Sequence, residues 1–149
     1  MNLCFATNNK HKLEEVSLAV GNSFTVLGLK EIGILEELRE TSDTLEGNSL
    51  QKARFVFDRA KIPCFADDSG LEVTALNGAP GVSSAMYAGD HRSHEDNIQL
   101  LLKNLNGVRT REATFRTIIT LVGMGEIKTF EGSIKGTILH EKRGTNGFG

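Results

Sequence analysis

Two rhythms of apolar and polar positions run along the chain. Leu3 to Ala6 is a short apolar run that ends in Thr7-Asn8-Asn9, which predicts a strand followed by a polar turn. From Lys10 the period lengthens: Leu13, Val16 and Val20 fall on one helical face, and Gly21-Asn22 closes the segment. Phe24 to Leu27 predicts a second strand, and the acidic stretch Glu36 to Glu46 a loop. Leu50, Ala53, Phe57 and Ala60 then predict a helix from about Asn48 to Lys61, with Pro63 beyond its end. Cys64 to Ala66 reads as a buried strand stopped by Asp67-Asp68-Ser69-Gly70, and Leu71, Val73 and Ala75 as the next one. Asn77 to Gly81 is a long turn signal.

In the second half, Ser93 with Asp96 resembles a capping box, and Ile98, Leu101, Leu102 and Leu105 supply the face of a third helix. Glu112 to Val122 predicts a long strand, Gly123-Met124-Gly125 a turn, Ile127 to Phe130 its hairpin partner, and Ser133 to Leu139 a further strand. Strands alternate with helices and then close the chain as a run. The expected fold class is α/β, a mixed β-sheet flanked by helices. No internal repeat or linker interrupts it.

Composition narrows the classes. A chain of 149 residues allows one domain, or one domain with two lobes, and buries enough surface for a core. A net charge of −2 argues against binding a long nucleic-acid polymer through its phosphates, whereas a small phosphate ligand needs only a local cluster of donors. No apolar run approaches the roughly 20 residues of a spanning helix, and no signal peptide precedes the first strand, so the expectation is no membrane and a cytoplasmic location. Cys4 and Cys64 sit in apolar runs without metal-ligand spacing and are expected to be reduced core residues.

Several chemistries are absent. There is no P-loop sequence, no dinucleotide glycine fingerprint after the first strand and no Gly-x-Ser-x-Gly elbow. His11, His91, His94 and His140 lack zinc-helix spacing and are expected at the surface. Three segments remain. At Ala6 to Lys12 a strand end opens a helix, so backbone N–H groups, Thr7, Asn9 and lysines could cradle a phosphate; alternatively Thr7 or Asn8 caps the helix and the lysines are solvated. In Phe65 to Gly70, Asp67 and Asp68 would point to opposite faces of an extended strand. One of them suits a magnesium ion, which takes one or two carboxylates plus phosphates; a simple Asp-Ser-Gly turn is the other reading. Arg143 to Gly149 offers glycines for close approach and Phe148 for stacking on a base, or is a plain tail.

Taken together and in order, ATNNKHKLEEV, ETSDTLEGNSLQKA, FADDSGLEVTAL, GAPGVSSAMYAG and RGTNGFG resemble the house-cleaning nucleoside triphosphate pyrophosphatases that act on inosine and xanthosine triphosphates. The likeness runs from the first strand to the last residue. It implies an elongated central mixed sheet flanked by helices, in two lobes with a nucleotide cleft between them. It implies a purine nucleoside triphosphate (dITP, ITP or XTP) as substrate, Mg2+ as cofactor and a homodimer as assembly. By the same resemblance Thr7, Asn9 and Lys12 contact phosphate, as does Lys52, with Asn48 beside it on the cleft helix. Glu40 and Asp68 are the magnesium carboxylates, Asp68 is also the base for the attacking water, Ser69 contacts the substrate, and Phe148 stacks on the purine.

The sequence departs from the family pattern in places. Gly47 stands where an acid is usual, and Ser49 replaces a common Ala. The family motif continues past Gly-Phe-Gly into Tyr-Asp, a substrate-binding Lys and a Ser-His-Arg segment that reads the base. None of these lies in residues 1–149, which are expected to form a single pyrophosphatase domain that is C-terminally incomplete, with weak discrimination between bases or no turnover. Two other readings stay open: a sibling pyrophosphatase acting on modified pyrimidine nucleotides, and a non-catalytic nucleotide-binding fragment.

Overall fold

The structure, a computed structural model, describes residues 1–145. In chain order the elements are β1 (Asn2–Phe5), α1 (Lys10–Val20), β2 (Thr25–Leu27), α2 (Leu45–Ala60), β3 (Cys64–Val73), β4 (Pro80–Gly81), α3 (His94–Asn104), β5 (Glu112–Gly123) and β6 (Glu126–Thr137). The strands form one mixed sheet in the order β2-β1-β3-β5-β6, with β4 attached to β3. β1 pairs in parallel with both β2 and β3, while β4 runs antiparallel to β3. The α/β class expected from the sequence is therefore the observed one.

Among the described residues the chain divides into two compact units, 1–68 with 118–131, and 69–117 with the residues from Gly132 onward. In the first, the core gathers Cys4, Ala6, Leu29, Ile34, Ala53, Val56, Cys64, Ala66 and Val122. Cys4 and Cys64 are register partners on β1 and β3, fully buried, with free thiols, as expected. A hydrogen bond between the two thiols raises the pKa of Cys64 and lowers that of Cys4, and burial pushes Cys64 further up. In the second unit, Val73, Leu105 and Ala113 form the core, with Leu71, Leu76, Leu101, Val108 and Ile138 packed on it. Buried Arg111 there donates to the carbonyls of Leu105, Ile138 and Leu139, which satisfies its guanidinium without a carboxylate.

Helix signals held at α1 and α3. Gly21 caps α1 with positive φ, and Ser93 caps α3 by accepting from the Asp96 N–H. The Asp96 carboxylate meets His91 instead of returning to the Ser93 N–H, so the capping box is half made. Met124 and Gly125, both at positive φ, form the tight turn that joins β5 to β6.

Four expectations are corrected. The N-cap of α1 is Asn9, which accepts from the Lys12 N–H, not Thr7 or Asn8; Thr7 accepts from the Asn9 N–H. α2 starts at Leu45, capped by Thr44, because Thr44 Oγ1 takes the Gly47 N–H. Its buried stripe is Leu45, Asn48, Ser49, Lys52, Ala53 and Val56, half of it polar, so apolar spacing alone placed the helix start too late. Asp67-Asp68-Ser69-Gly70 does not end a strand: β3 runs through it to Val73, and Ala75 lies in a short 3₁₀ turn. Likewise β6 is one strand where two were expected.

Candidate functional site

The first unit assembles most of the residues singled out from the sequence. The end of β1 delivers Thr7 and Asn9, whose side chains fold back onto main-chain N–H groups and shape the turn into α1. One turn into α1, Lys12 reaches β3, its Nζ 2.6 Å from Asp67 Oδ2. Asp67 is buried, and a buried carboxylate needs such a partner.

Successive residues of a strand point to opposite faces, and Asp68 accordingly engages another helix. Asn48 Nδ2 of α2 donates to Asp68 Oδ2 at 3.0 Å. The other end of the same amide is also used, because Asn48 Oδ1 accepts from the Ser42 N–H at 2.8 Å. A turn further along α2, Lys52 Nζ lies 2.6 Å from Glu40 Oε1. Asn48 and Lys52 are four residues apart and so neighbour each other on one helix face. α2 thus holds the two carboxylates, Asp68 and Glu40, by adjacent side chains.

The loop carrying Glu40 is stitched to the helix. Gln51 and Thr41 exchange two hydrogen bonds of 2.9 Å, Thr41 N–H to Gln51 Oε1 and Gln51 Nε2 to Thr41 Oγ1. Deeper in, the buried Ser49 hydroxyl sits 2.6 Å from Thr120 Oγ1 of β5 and donates to the Glu46 carbonyl. Ser49, where an Ala is common in the resembling family, therefore has a partner of its own.

Ser69 belongs to the second unit, where its hydroxyl lies 2.8 Å from Thr117 Oγ1. Phe148 lies outside the described residues. Among the described residues no group of three or more His, Cys, Asp or Glu side chains is placed to hold a metal. Glu40 and Asp68 are carboxylates of the kind magnesium takes, one or two per ion, and each is held by an α2 side chain.

The sequence does not show the partner of Asp67 or the contacts of Ser42, Thr44 and Gln51. The run Thr41-Ser42-Asp43-Thr44 ahead of an apolar residue is a helix-start signal and marks the region. The pairing of Ser42 with Asn48 is tertiary and has no local signature.

A scan of family models matches the Ham1 family over residues 3–149. The chain belongs to the Ham1 family. It is 48% identical over 149 residues to the dITP/XTP pyrophosphatase of Flavobacterium johnsoniae, covering all of this chain and 78% of that protein. Against the dITP/XTP pyrophosphatase of Porphyromonas gingivalis it is 51% identical over 148 residues, covering 99% of this chain and 76% of that one. The fold is similar to the Staphylococcus aureus Ham1 protein, with a TM-score of 0.90 at 37% identity over 99% of this chain and 77% of that one. A HAM1 protein from Coxiella burnetii gives 0.89 at 32% identity, over 99% and 78% respectively. No helix of the described residues is long and apolar enough to cross a membrane.

Proposed function

We propose that this Ham1-family chain hydrolyses non-standard purine nucleoside triphosphates (dITP, ITP and XTP) to the monophosphate and pyrophosphate, clearing them from the nucleotide pool. The observation that carries the reading is the α2 face, where Asn48 and Lys52 hold Asp68 and Glu40. The names of the relatives, dITP/XTP pyrophosphatases, favour purine substrates over the pyrimidine alternative.

Water attacks the α-phosphorus, a P–O bond forms, and the α–β anhydride bond breaks to release pyrophosphate. Asp68 takes the proton from the attacking water, with Asn48 fixing the orientation of its carboxylate. Lys12 and Lys52 are ion-paired to Asp67 and Glu40. A triphosphate competes for both ammonium groups, which then offset the charge gathering on the leaving pyrophosphate. Thr7 and Asn9 hold the turn where phosphate meets the start of α1, and Ser69 contacts the substrate. The family resemblance assigns purine stacking to Phe148, which lies outside the described residues.

Glu40 and Asp68 would hold a magnesium ion, which when bound neutralises phosphate charge and makes water more acidic. The donor chemistry supports this: hard carboxylate oxygens, each already held by a neighbouring position of one helix. We further propose a cytoplasmic homodimer with no nucleic-acid polymer or membrane as partner, in line with two free thiols and a net charge of −2. Hydrolysis of ITP in ¹⁸O-labelled water tests the chemistry. Label in the monophosphate supports attack at the α-phosphorus; label only in the released phosphate products contradicts it.

A further inference from the structure

We infer that Gly47 is a positioning residue for Asp68, acting through Ser42 and Asn48. Its importance for catalysis rests on the proposed function; the geometry beneath it does not.

Nothing in the backbone asks for glycine at position 47. The residue is third in α2, it is not among the positive-φ glycines, and glycine is the least favoured helix residue after proline. What the position needs is space. A Cβ built on Gly47 would overlap Ser42 Oγ outright, lie 2.6 Å from Ser42 Cβ and 3.0 Å from Thr44 Oγ1. Rotating the serine hydroxyl would clear Oγ but not Cβ, so the main chain at Ser42 would have to move.

That main chain is what orients Asn48. A side-chain amide has one accepting and one donating end, and the Ser42 N–H claims the accepting end at 2.8 Å. The donating end is thereby turned to Asp68 at 3.0 Å. Were the Ser42 N–H withdrawn, the amide would be free to turn its carbonyl oxygen towards a carboxylate, a repulsive contact. The flanks of Ser42 are fixed, by Gln51 on Thr41 and by Thr44 on the Gly47 N–H, so the displacement would fall on Ser42 itself. The missing side chain at 47 is therefore the space that lets the loop close and sets the amide.

The test compares the wild type with Gly47→Ala and with the pair Ser42→Gly/Gly47→Ala, which deletes the clashing atoms. The Asn48 side-chain amide is followed by NMR in the ligand-free protein, alongside Tm and kcat/KM for ITP. In Gly47→Ala the Asn48 amide resonances should move and their exchange protection should drop by about tenfold or more, as expected for losing a hydrogen bond beside a charged group. kcat/KM should fall by about tenfold, and the double variant should restore both readouts to within about threefold of wild type. If Gly47→Ala does not fold, the double variant must fold and show the wild-type amide signature.

Unmoved Asn48 resonances in Gly47→Ala, together with the higher Tm of an ordinary glycine-to-alanine helix change, would overturn the inference. So would a moved amide with unchanged kcat/KM in an active enzyme. A wild type without pyrophosphatase activity whose amide responds as described would contradict the proposed function and support the positioning geometry.

Discussion

Asn48 donates from one end of its amide to the Asp68 carboxylate at 3.0 Å, while Lys52, one helical turn on, holds Glu40 at 2.6 Å. The two acids come from a strand and a loop 28 positions apart in sequence, and α2 is what keeps each in place. The helix pattern of residues 45–60 thus serves two purposes: its apolar members pack the core, and its polar members on the same stripe build the site.

Asp68→Asn keeps the size of the side chain and removes its charge and basicity. We expect kcat/KM to fall by an amount like that of losing one strong transition-state contact, about 2.7–4 kcal/mol or 10²- to 10³-fold. Steady-state kinetics with ITP, with circular dichroism to confirm an intact fold, checks this. A variant retaining most activity would remove Asp68 from the proton transfer.

Lys52→Met separates charge from packing. The side chain is buried and its aliphatic stem lies within the α2 stripe, so methionine fills the space. Glu40 is 27% exposed and keeps some access to water, which limits the cost of losing its ion pair. The expected outcome is a Tm within a few degrees of wild type and a kcat/KM lower by about tenfold or more. An equal loss of stability and activity would make Lys52 a purely structural residue.

Ser49 and Thr120 form a hydroxyl pair that is almost wholly buried. Ser49→Ala should destabilise by about 1–3 kcal/mol, because Thr120 loses its partner out of reach of water. Adding Thr120→Val should recover most of that loss, since both polar groups are then gone. Urea unfolding of the two single variants and the double variant decides; additive losses would mean that the pair is not coupled.

The surface of α3 carries a pH dependence. Hydrogen bonds from Gln99 and Lys142 hold Glu95 below its ordinary value of 4.5, and those from His91 and Ser93 hold Asp96 below 3.8. A depressed carboxylate stabilises the fold above its unfolded pKa, and that contribution fades as pH falls through the folded one. Stability should therefore decline with acid from about pH 4.5 downwards. Both groups are exposed, so the decline from them is shallow. Urea midpoints measured from pH 6 to pH 3 should fall less steeply in His91→Ala/Lys142→Ala than in the wild type.

The fold class and most element positions were legible in the sequence because local rules governed them: Gly21 ends α1, Ser93 starts α3, and Met124-Gly125 turns the β5–β6 hairpin. The errors fell where tertiary contacts outweighed local preference. Asp67 and Asp68 look like a strand stop, yet the Lys12 ammonium pairs with Asp67 and the Asn48 amide donates to Asp68, and β3 continues through both. The start of α2 was hidden because the buried face there is polar. Of the site, the family resemblance marks Asp68, Asn48, Glu40 and Lys52 one by one, but not their pairing, which depends on α2 lying beside both the strand and the loop.

Whether this chain is a purine nucleoside triphosphate pyrophosphatase is decided by pyrophosphate release from ITP, XTP and ATP, with and without magnesium. Metal-dependent release is expected, with ITP or XTP ahead of ATP, and about 10²- to 10³-fold slower in Asp68→Asn. Nucleotide binding without pyrophosphate release from any of the three, under conditions where a longer Ham1 relative is active, would contradict it.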